Sequence, residues 1–250
     1  MTETDAAGST KAGVLVKTSL VDYPGHVACT VFLYGCNLRC PYCYNTELVT
    51  KHIDEIEGIS TVQEITDHLE KRKNVLSGFV ISGGEALLSP CLKTLIIEAK
   101  KRGYKIKLDT NGTNPDKLEE ILADSELRPD FVAMDVKTSA SKLGLLAPHI
   151  TDESINDILA EKVRRTAELV ASLPPESREY RTVLVPPLVD EKDIIEMSQL
   201  LPKDASWKFA QFRNDNCVDP LYNNVIPYSP IEAEALVKTA ASIIPGAELR

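Results

Sequence analysis

Gly35-Cys36-Asn37-Leu38-Arg39-Cys40-Pro41-Tyr42-Cys43-Tyr44-Asn45 places three cysteines at C-x3-C-x2-C spacing in one short stretch. The run before it, Cys29-Thr30-Val31-Phe32-Leu33-Tyr34, is apolar and β-branched, and predicts a buried strand over 27–34 that ends in this loop. Thiolates at this spacing can converge on one metal centre. Iron–sulfur clusters are held by cysteine sulfur, and a four-iron cluster ordinarily takes four ligands. Only three are local here. Either a distant residue supplies the fourth, or one iron stays open to chelate a small molecule. Zinc, completed by His52 or another residue, is the competing reading, because zinc also takes tetrahedral sulfur and nitrogen.

Composition narrows the setting. A chain of 250 residues supports one sizeable core, and a single domain over 14–250 is the simplest organisation. A net charge of −9 argues against a groove that tracks nucleic-acid phosphates. No apolar run approaches the roughly 18 residues of a membrane span. Residues 1–13 are small, polar and acidic, lack the apolar centre of a signal peptide, and predict a flexible tail. The expected location is the cytoplasm, where thiols stay reduced. Cys29, Cys91 and Cys217 stand alone and are expected to be small buried residues. His26, His52, His68 and His149 show no mutual metal spacing. Lys71-Arg72-Lys73, with Arg39, is a candidate docking patch whose plainer reading is a solvated charged face.

The order of elements predicts the fold class. After a short strand over 14–19, Asp22-Tyr23-Pro24-Gly25 has turn chemistry. Strands are expected at 27–34, 78–82, 104–109, 131–136, 180–185 and 207–212. Helices are expected from Ser60-Thr61 to about 71, from Ser89-Pro90, from Asn114-Pro115 to about 124, over 152–173, over 190–201, and from Ser229-Pro230. Alternation of this kind predicts a parallel α/β sheet with right-handed crossovers. Active sites in such sheets are built from loops at the C-terminal strand ends. The cysteine loop, Gly83-Gly84-Glu85, Asp109-Thr110, Asp135 and Arg213 all fall on predicted ends of that kind.

The loop resembles that of the radical S-adenosylmethionine (SAM) enzymes, whose hallmark is C-x3-C-x-aromatic-C, with Tyr42 at the aromatic position. Ile81-Ser82-Gly83-Gly84-Glu85, Leu108-Asp109-Thr110-Asn111-Gly112 and Met134-Asp135-Val136-Lys137 agree with the same family. Lys17-Thr18-Ser19-Leu20-Val21-Asp22-Tyr23-Pro24-Gly25, with Gly35-Cys36-Asn37, is similar to the activating proteins of anaerobic ribonucleoside-triphosphate reductase. Many such activases carry His after the third cysteine, where this chain has Tyr44. The resemblance spans roughly residues 14 to 245. It implies an open, partial TIM-type (β/α)6 barrel of parallel strands, the radical SAM fold.

The same resemblance implies a set of roles. Cys36, Cys40 and Cys43 would hold one [4Fe-4S] cluster. Gly83, Gly84 and Glu85 would hold the methionyl amino group of SAM; a tight strand-to-helix turn is the plainer reading of the two glycines, and the neighbouring cysteine loop favours the functional one. Asp109, Thr110 and Asp135 would lie near SAM and help bind a monovalent cation, although strand-end carboxylates often serve only as caps. Lys137 would sit near the SAM carboxylate. Arg213 is a further SAM contact, and Tyr42, Cys43 and Tyr44 would pack against the cofactor. The implied reaction is reductive cleavage of SAM to a 5′-deoxyadenosyl radical, which takes a hydrogen atom from a glycine of the reductase. A flavodoxin or ferredoxin would donate the electron. Two alternatives stay open: a radical SAM enzyme acting on pyruvate formate-lyase or on a small molecule, as 7-carboxy-7-deazaguanine synthase does, and a non-catalytic metal-binding or electron-transfer protein.

Overall fold

The computed structural model describes residues 9–250; the first eight residues of the expected tail lie outside the described residues. The chain packs as two compact units. One comprises the described residues up to 37 with 47–110 and 119–131, and the other comprises 38–46, 111–118 and 132–250.

The first unit contains β1 (Lys11–Ser19), β2 (Ala28–Leu33), α1 (Thr46–Thr50, from its second residue), β3 (Ile59–Thr61), α2 (Val62–Arg72), β4 (Gly78–Gly83), α3 (Leu92–Lys101) and β5 (Lys105–Thr110). Its strands run in the order β3-β1-β2-β4-β5. β1 is antiparallel to both neighbours, whereas β2, β4 and β5 are mutually parallel. β1 starts at Lys11 rather than at 14 because Gly13 lies directly on β2: a Cβ there would be 2.1 Å from the Phe32 carbonyl oxygen. Leu33 pairs with Gly83 and Ile81 with Leu108. The cysteine loop, Gly83-Gly84-Glu85 and Asp109-Thr110 therefore begin at the same edge of this sheet.

The helices of this unit follow from spacing and caps. α2 is opened by a capping box in which Thr61 accepts from the Glu64 N–H and Glu64 accepts from the Thr61 N–H. α3 buries Leu92, Leu95, Ile96 and Ala99, the face expected from their spacing. Each of the two leucines and the isoleucine contributes roughly 1.5–3 kcal/mol on burial, and the Ala99 methyl less. The start of α3 differs from the expectation at Ser89-Pro90. Ser89 Oγ accepts from the Cys91 N–H and closes a separate turn, so the helix begins at Leu92.

In the second unit β6 (Phe131–Asp135, from its second residue), β7 (Arg178–Leu184), β8 (Trp207–Gln211) and β9 (Ala247–Leu249) are all parallel and adjacent in that order. α4 (Pro115–Ala123) begins in this unit and ends in the first. α5 (Ile155–Ala171), α6 (Glu191–Ser198) and α7 (Pro230–Ile243) complete it. Asp190 caps α6, and Ser229 forms a capping box with Glu232 ahead of a first-turn proline in α7. α5 starts later than 152 because Asp152 accepts from the Ser154 N–H and hydroxyl and holds a turn there. Trp207 is fully buried and donates its indole N–H to Thr182 Oγ1 at 2.9 Å. Strand and helix alternate as expected, and the class is α/β with mostly parallel strands. β3 and β9 went unforeseen because three residues are too few to show alternation.

Candidate active site

The end of β4 shows why two glycines stand there. Gly83 has φ +128°, and a Cβ on it would lie 2.2 Å from the Leu33 nitrogen. A Cβ on Gly84 would lie 2.1 Å from the Gly35 carbonyl oxygen and 3.1 Å from Cys36 Cβ. The Gly84 and Glu85 N–H groups donate to the carbonyls of Leu33 and Gly35. The close approach that glycine permits is thus to the first turn of the cysteine loop, and Cys36 rests on the Gly-Gly backbone.

Glu85 is buried, and its Oε1 accepts from the Leu87 N–H at 3.1 Å and from Thr110 Oγ1 at 2.9 Å. Its carboxylate therefore ties the end of β4 to the end of β5. Beside Thr110, Asp109 Oδ1 accepts from Lys107 Nζ at 2.7 Å, with the lysine side chain 1% exposed. Lys107 and Asp109 share one face of β5, being two residues apart on a strand.

The second unit holds the other cluster of expected residues. The Cys43 N–H closes a turn on the Cys40 carbonyl. Residues after β8 pin this turn: Val218 N–H donates to the Cys43 carbonyl, Asp219 N–H to that of Pro41, and Asn216 Nδ2 to Thr46 Oγ1. Tyr42 is buried and meets Phe212 edge-on at 6.5 Å, and Phe212 meets Tyr222 in the same way. Burial pushes the Tyr42 phenol well above its ordinary range, and Lys137, Cys40, Asp135 and Cys43 all lie close enough to act on it.

Asp135 closes β6 and accepts from two cations, Arg181 Nε at 2.8 Å on Oδ1 and Lys137 Nζ at 3.2 Å on Oδ2. Burial alone would raise its carboxyl, but Arg181 and Lys137 outweigh that and hold it down at about 2. Burial works against the Lys137 ammonium too, yet Asp135 overcomes it and holds the group well above the usual lysine range.

Cys36, Gly83, Gly84, Glu85, Asp109 and Thr110 thus gather in the first unit, and Cys40, Tyr42, Cys43, Asp135 and Lys137 in the second. Tyr44 is exposed, and Arg213 is 74% exposed and pairs with Asp215. Asp22-Tyr23-Pro24-Gly25 is a packed corner. Thr30 donates to Asp22 at 2.6 Å, and the buried Tyr23 ring meets His26 and Phe131. Lys73 of the candidate docking patch pairs with Glu70.

The cysteine loop suits an iron–sulfur cluster. It offers three cysteines outside any disulfide and no carboxylate between them. A cluster bonds each thiolate to a different iron, whereas zinc draws its ligands to one point. Among the described residues, no group of three or more His, Cys, Asp or Glu side chains is placed to hold a single metal ion. His52 is committed elsewhere, as its Nδ1 caps a short helical turn by accepting from the Asp54 N–H. The scattered cysteines are buried as expected, and burial raises the thiols of Cys29 (to about 12), Cys91 and Cys217.

The family model described as the Radical SAM superfamily matches residues 30–201. The chain belongs to the radical SAM superfamily. It is an enzyme of that superfamily, and a [4Fe-4S] cluster and SAM are the cofactors the family implies. A Methanocaldococcus jannaschii protein provisionally named a glycyl-radical enzyme activating enzyme is 29% identical over 243 residues, covering 94% of each chain. The pyruvate formate-lyase-activating enzyme of Clostridium pasteurianum is 28% identical over 183 residues, covering 70% of this chain and 69% of that one. Among solved structures, Streptococcus suis SuiB bound to S-adenosylmethionine has a TM-score of 0.56 at 15% identity; the match covers 87% of this chain and 47% of that one. This last likeness supports the fold alone, and the chain spans less than half of SuiB.

Sequence reasoning missed Lys107 and Arg181. A signal for Lys107 was present: in Lys105-Ile106-Lys107-Leu108-Asp109 it shares a strand face with the motif aspartate. Arg181 pairs through the register Asp135–Arg181 of β6 and β7, which no single stretch of sequence displays. Among the described residues, no helix is long and apolar enough to cross a membrane.

Proposed function

We propose that this radical SAM enzyme activates a glycyl-radical protein by removing a hydrogen atom from a backbone glycine, and that the protein is an anaerobic ribonucleoside-triphosphate reductase. The observation that carries the reading is similarity along 94% of both chains to a relative named for glycyl-radical enzyme activation. The Asp-Tyr-Pro-Gly corner and the Gly-Cys-Asn start of the loop favour the reductase as the target. Cys36, Cys40 and Cys43 would hold the cluster. The backbone after β4 and the Lys137 ammonium would hold the amino and carboxylate groups of SAM. When bound, the cluster and SAM supply one-electron cleavage of the C5′–S bond and the radical that takes the hydrogen atom.

The chain's own residues supply placement and shielding. Gly83 and Gly84 seat the first cysteine. The buried ring of Tyr42 and the Phe212 edge fill space beside Cys40 and Cys43, excluding water and stray hydrogen donors. Asp135, ionised at any working pH, holds Lys137 charged and in place. Six cysteines, none in a disulfide, suit a reducing, cytoplasmic setting, and a flavodoxin or ferredoxin would be the electron donor.

The test mixes anaerobically reconstituted, reduced enzyme with SAM and the candidate reductase and records electron paramagnetic resonance (EPR). A glycyl doublet, with 5′-deoxyadenosine formed, is expected. SAM consumption without a doublet transfers the reading to another glycyl-radical enzyme or a small molecule. A Cys40→Ala protein that still cleaves SAM overturns the ligand assignment.

A further inference from the structure

Asp109, Thr110 and Asp135 are the ligands that the resemblance implies for a monovalent cation. Each of the three already answers to a partner within its own unit. Asp109 Oδ1 carries the Lys107 ammonium at 2.7 Å. Thr110 Oγ1 gives its proton to Glu85 Oε1 at 2.9 Å. Asp135 accepts from Arg181 on one oxygen and Lys137 on the other.

Lys107 is the informative residue. Lysine is almost never fully buried without a partner, because stripping water from an ammonium costs several kcal/mol. Here the whole side chain is sealed at 1% exposure, and Asp109 is 10% exposed. An ammonium and a potassium ion have the same charge and similar size, and both seek carboxylate oxygen. One carboxylate oxygen that already holds an ammonium at hydrogen-bond distance is a poor site for a second cation, since like charges so close repel strongly in a buried setting.

We infer that the Lys107 ammonium is the resident cation at the Asp109 strand end, so this enzyme needs no alkali-metal ion there. Lys107 acts as a positioning residue: it fixes and neutralises Asp109 without touching the reacting atoms. The inference rests on the activase reading only for its expectation of an alkali ion beside Asp109 and Thr110. Its test needs neither SAM nor a partner protein.

The test titrates the purified full chain, free of SAM, with potassium and then thallium(I) against tetramethylammonium at constant ionic strength. Thermal unfolding and thallium NMR are the readouts. The native protein is expected to show a melting temperature indifferent to the choice of cation and no saturable thallium binding. Lys107→Ala, which removes the ammonium and opens its space, is expected to gain saturable binding and to recover stability with potassium, as mass action requires of a ligand held only by the folded state. A purely structural lysine would lose stability without gaining that cation dependence. Saturable alkali-ion binding by the native protein, or a Lys107→Ala protein that folds yet ignores potassium, overturns the inference. If Lys107→Ala fails to fold, the native titration alone decides. Failure here leaves the glycyl doublet test untouched, and failure of that test leaves this one standing.

Discussion

Asp109 and Asp135 each lie at the C-terminal end of a strand, and each pairs with a lysine two residues away, yet the two lysines differ in kind. Lys107 precedes its aspartate and so lies inside β5, sealed at 1% exposure. Lys137 follows its aspartate and so lies beyond β6, with 19% of its side chain still exposed. Asp135 also has Arg181, so Lys137 shares its carboxylate with a second cation. A charge placed before the strand end is enclosed by the sheet and holds the structure. A charge placed after it enters the loops and can meet a ligand.

Replacing each lysine by methionine is the most direct way to break this contrast. Lys107→Met removes the ammonium from a buried ion pair, and breaking such a pair costs about 3–5 kcal/mol. Lys137→Met leaves Arg181 on Asp135, and loss of a part-exposed pair costs about 1 kcal/mol or less. Urea unfolding midpoints measure both, and SAM affinity should fall for Lys137→Met. Equal stability losses would mean that position relative to the strand end does not decide the role.

Gly84→Ala sharpens the contrast from the first unit. A Cβ at 2.1 Å from the Gly35 oxygen meets backbone, which cannot rotate away. The loop must shift, at a cost of about 1–3 kcal/mol typical of overpacking. Iron bound per chain after reconstitution should drop with it. Unchanged iron content would show that the start of the cysteine loop is free to move.

Acid tests the second unit. The folded Asp135 carboxyl is held at about 2, below its ordinary 3.8. A depressed carboxyl contributes stability that is present above its unfolded pKa and lost as pH falls toward the folded one. The window therefore runs from about pH 4 down to 2, and the contribution is on the order of 2 kcal/mol. Arg181→Met should flatten this part of the stability profile. A profile that stays as steep would place the acid sensitivity elsewhere.

Much of the candidate site was legible in the sequence because three cysteines at C-x3-C-x2-C spacing have few competing uses, and the glycine pair and strand-end aspartates gain meaning beside them. Their supports were less legible. That Glu85 Oε1 accepts from Thr110 and the Leu87 N–H is revealed only by the packing of β4 against β5. Lys107 looked like any charged strand residue, since burial depends on what covers the strand and not on the strand itself. The segment over 216–219 that pins the Cys40–Cys43 turn has no periodicity to announce it. Helix starts were read well where a side chain caps them, as at Thr61 and Ser229, and less well at Ser89, where the same chemistry closes a turn.

Arg213 extends the contrast to a third strand end, and its effect should be the smallest. It lies two residues past β8, as Lys137 lies two past β6, so sequence position alone gives both the same standing. Their partners differ. Lys137 is held on a half-buried carboxylate beside Tyr42, whereas Arg213 is 74% exposed and pairs with Asp215, itself 62% exposed. Exposed pairs contribute little because water and salt screen them and two long side chains lose rotamer freedom. Arg213→Met should change stability by no more than about 0.5 kcal/mol. Its effect on SAM affinity should be smaller than that of Lys137→Met, measured on reconstituted protein by equilibrium dialysis. A loss as large as that of Lys137→Met would mean that Arg213 leaves Asp215 when SAM binds, and that the place of a charge past the strand end outweighs the partner it keeps beforehand.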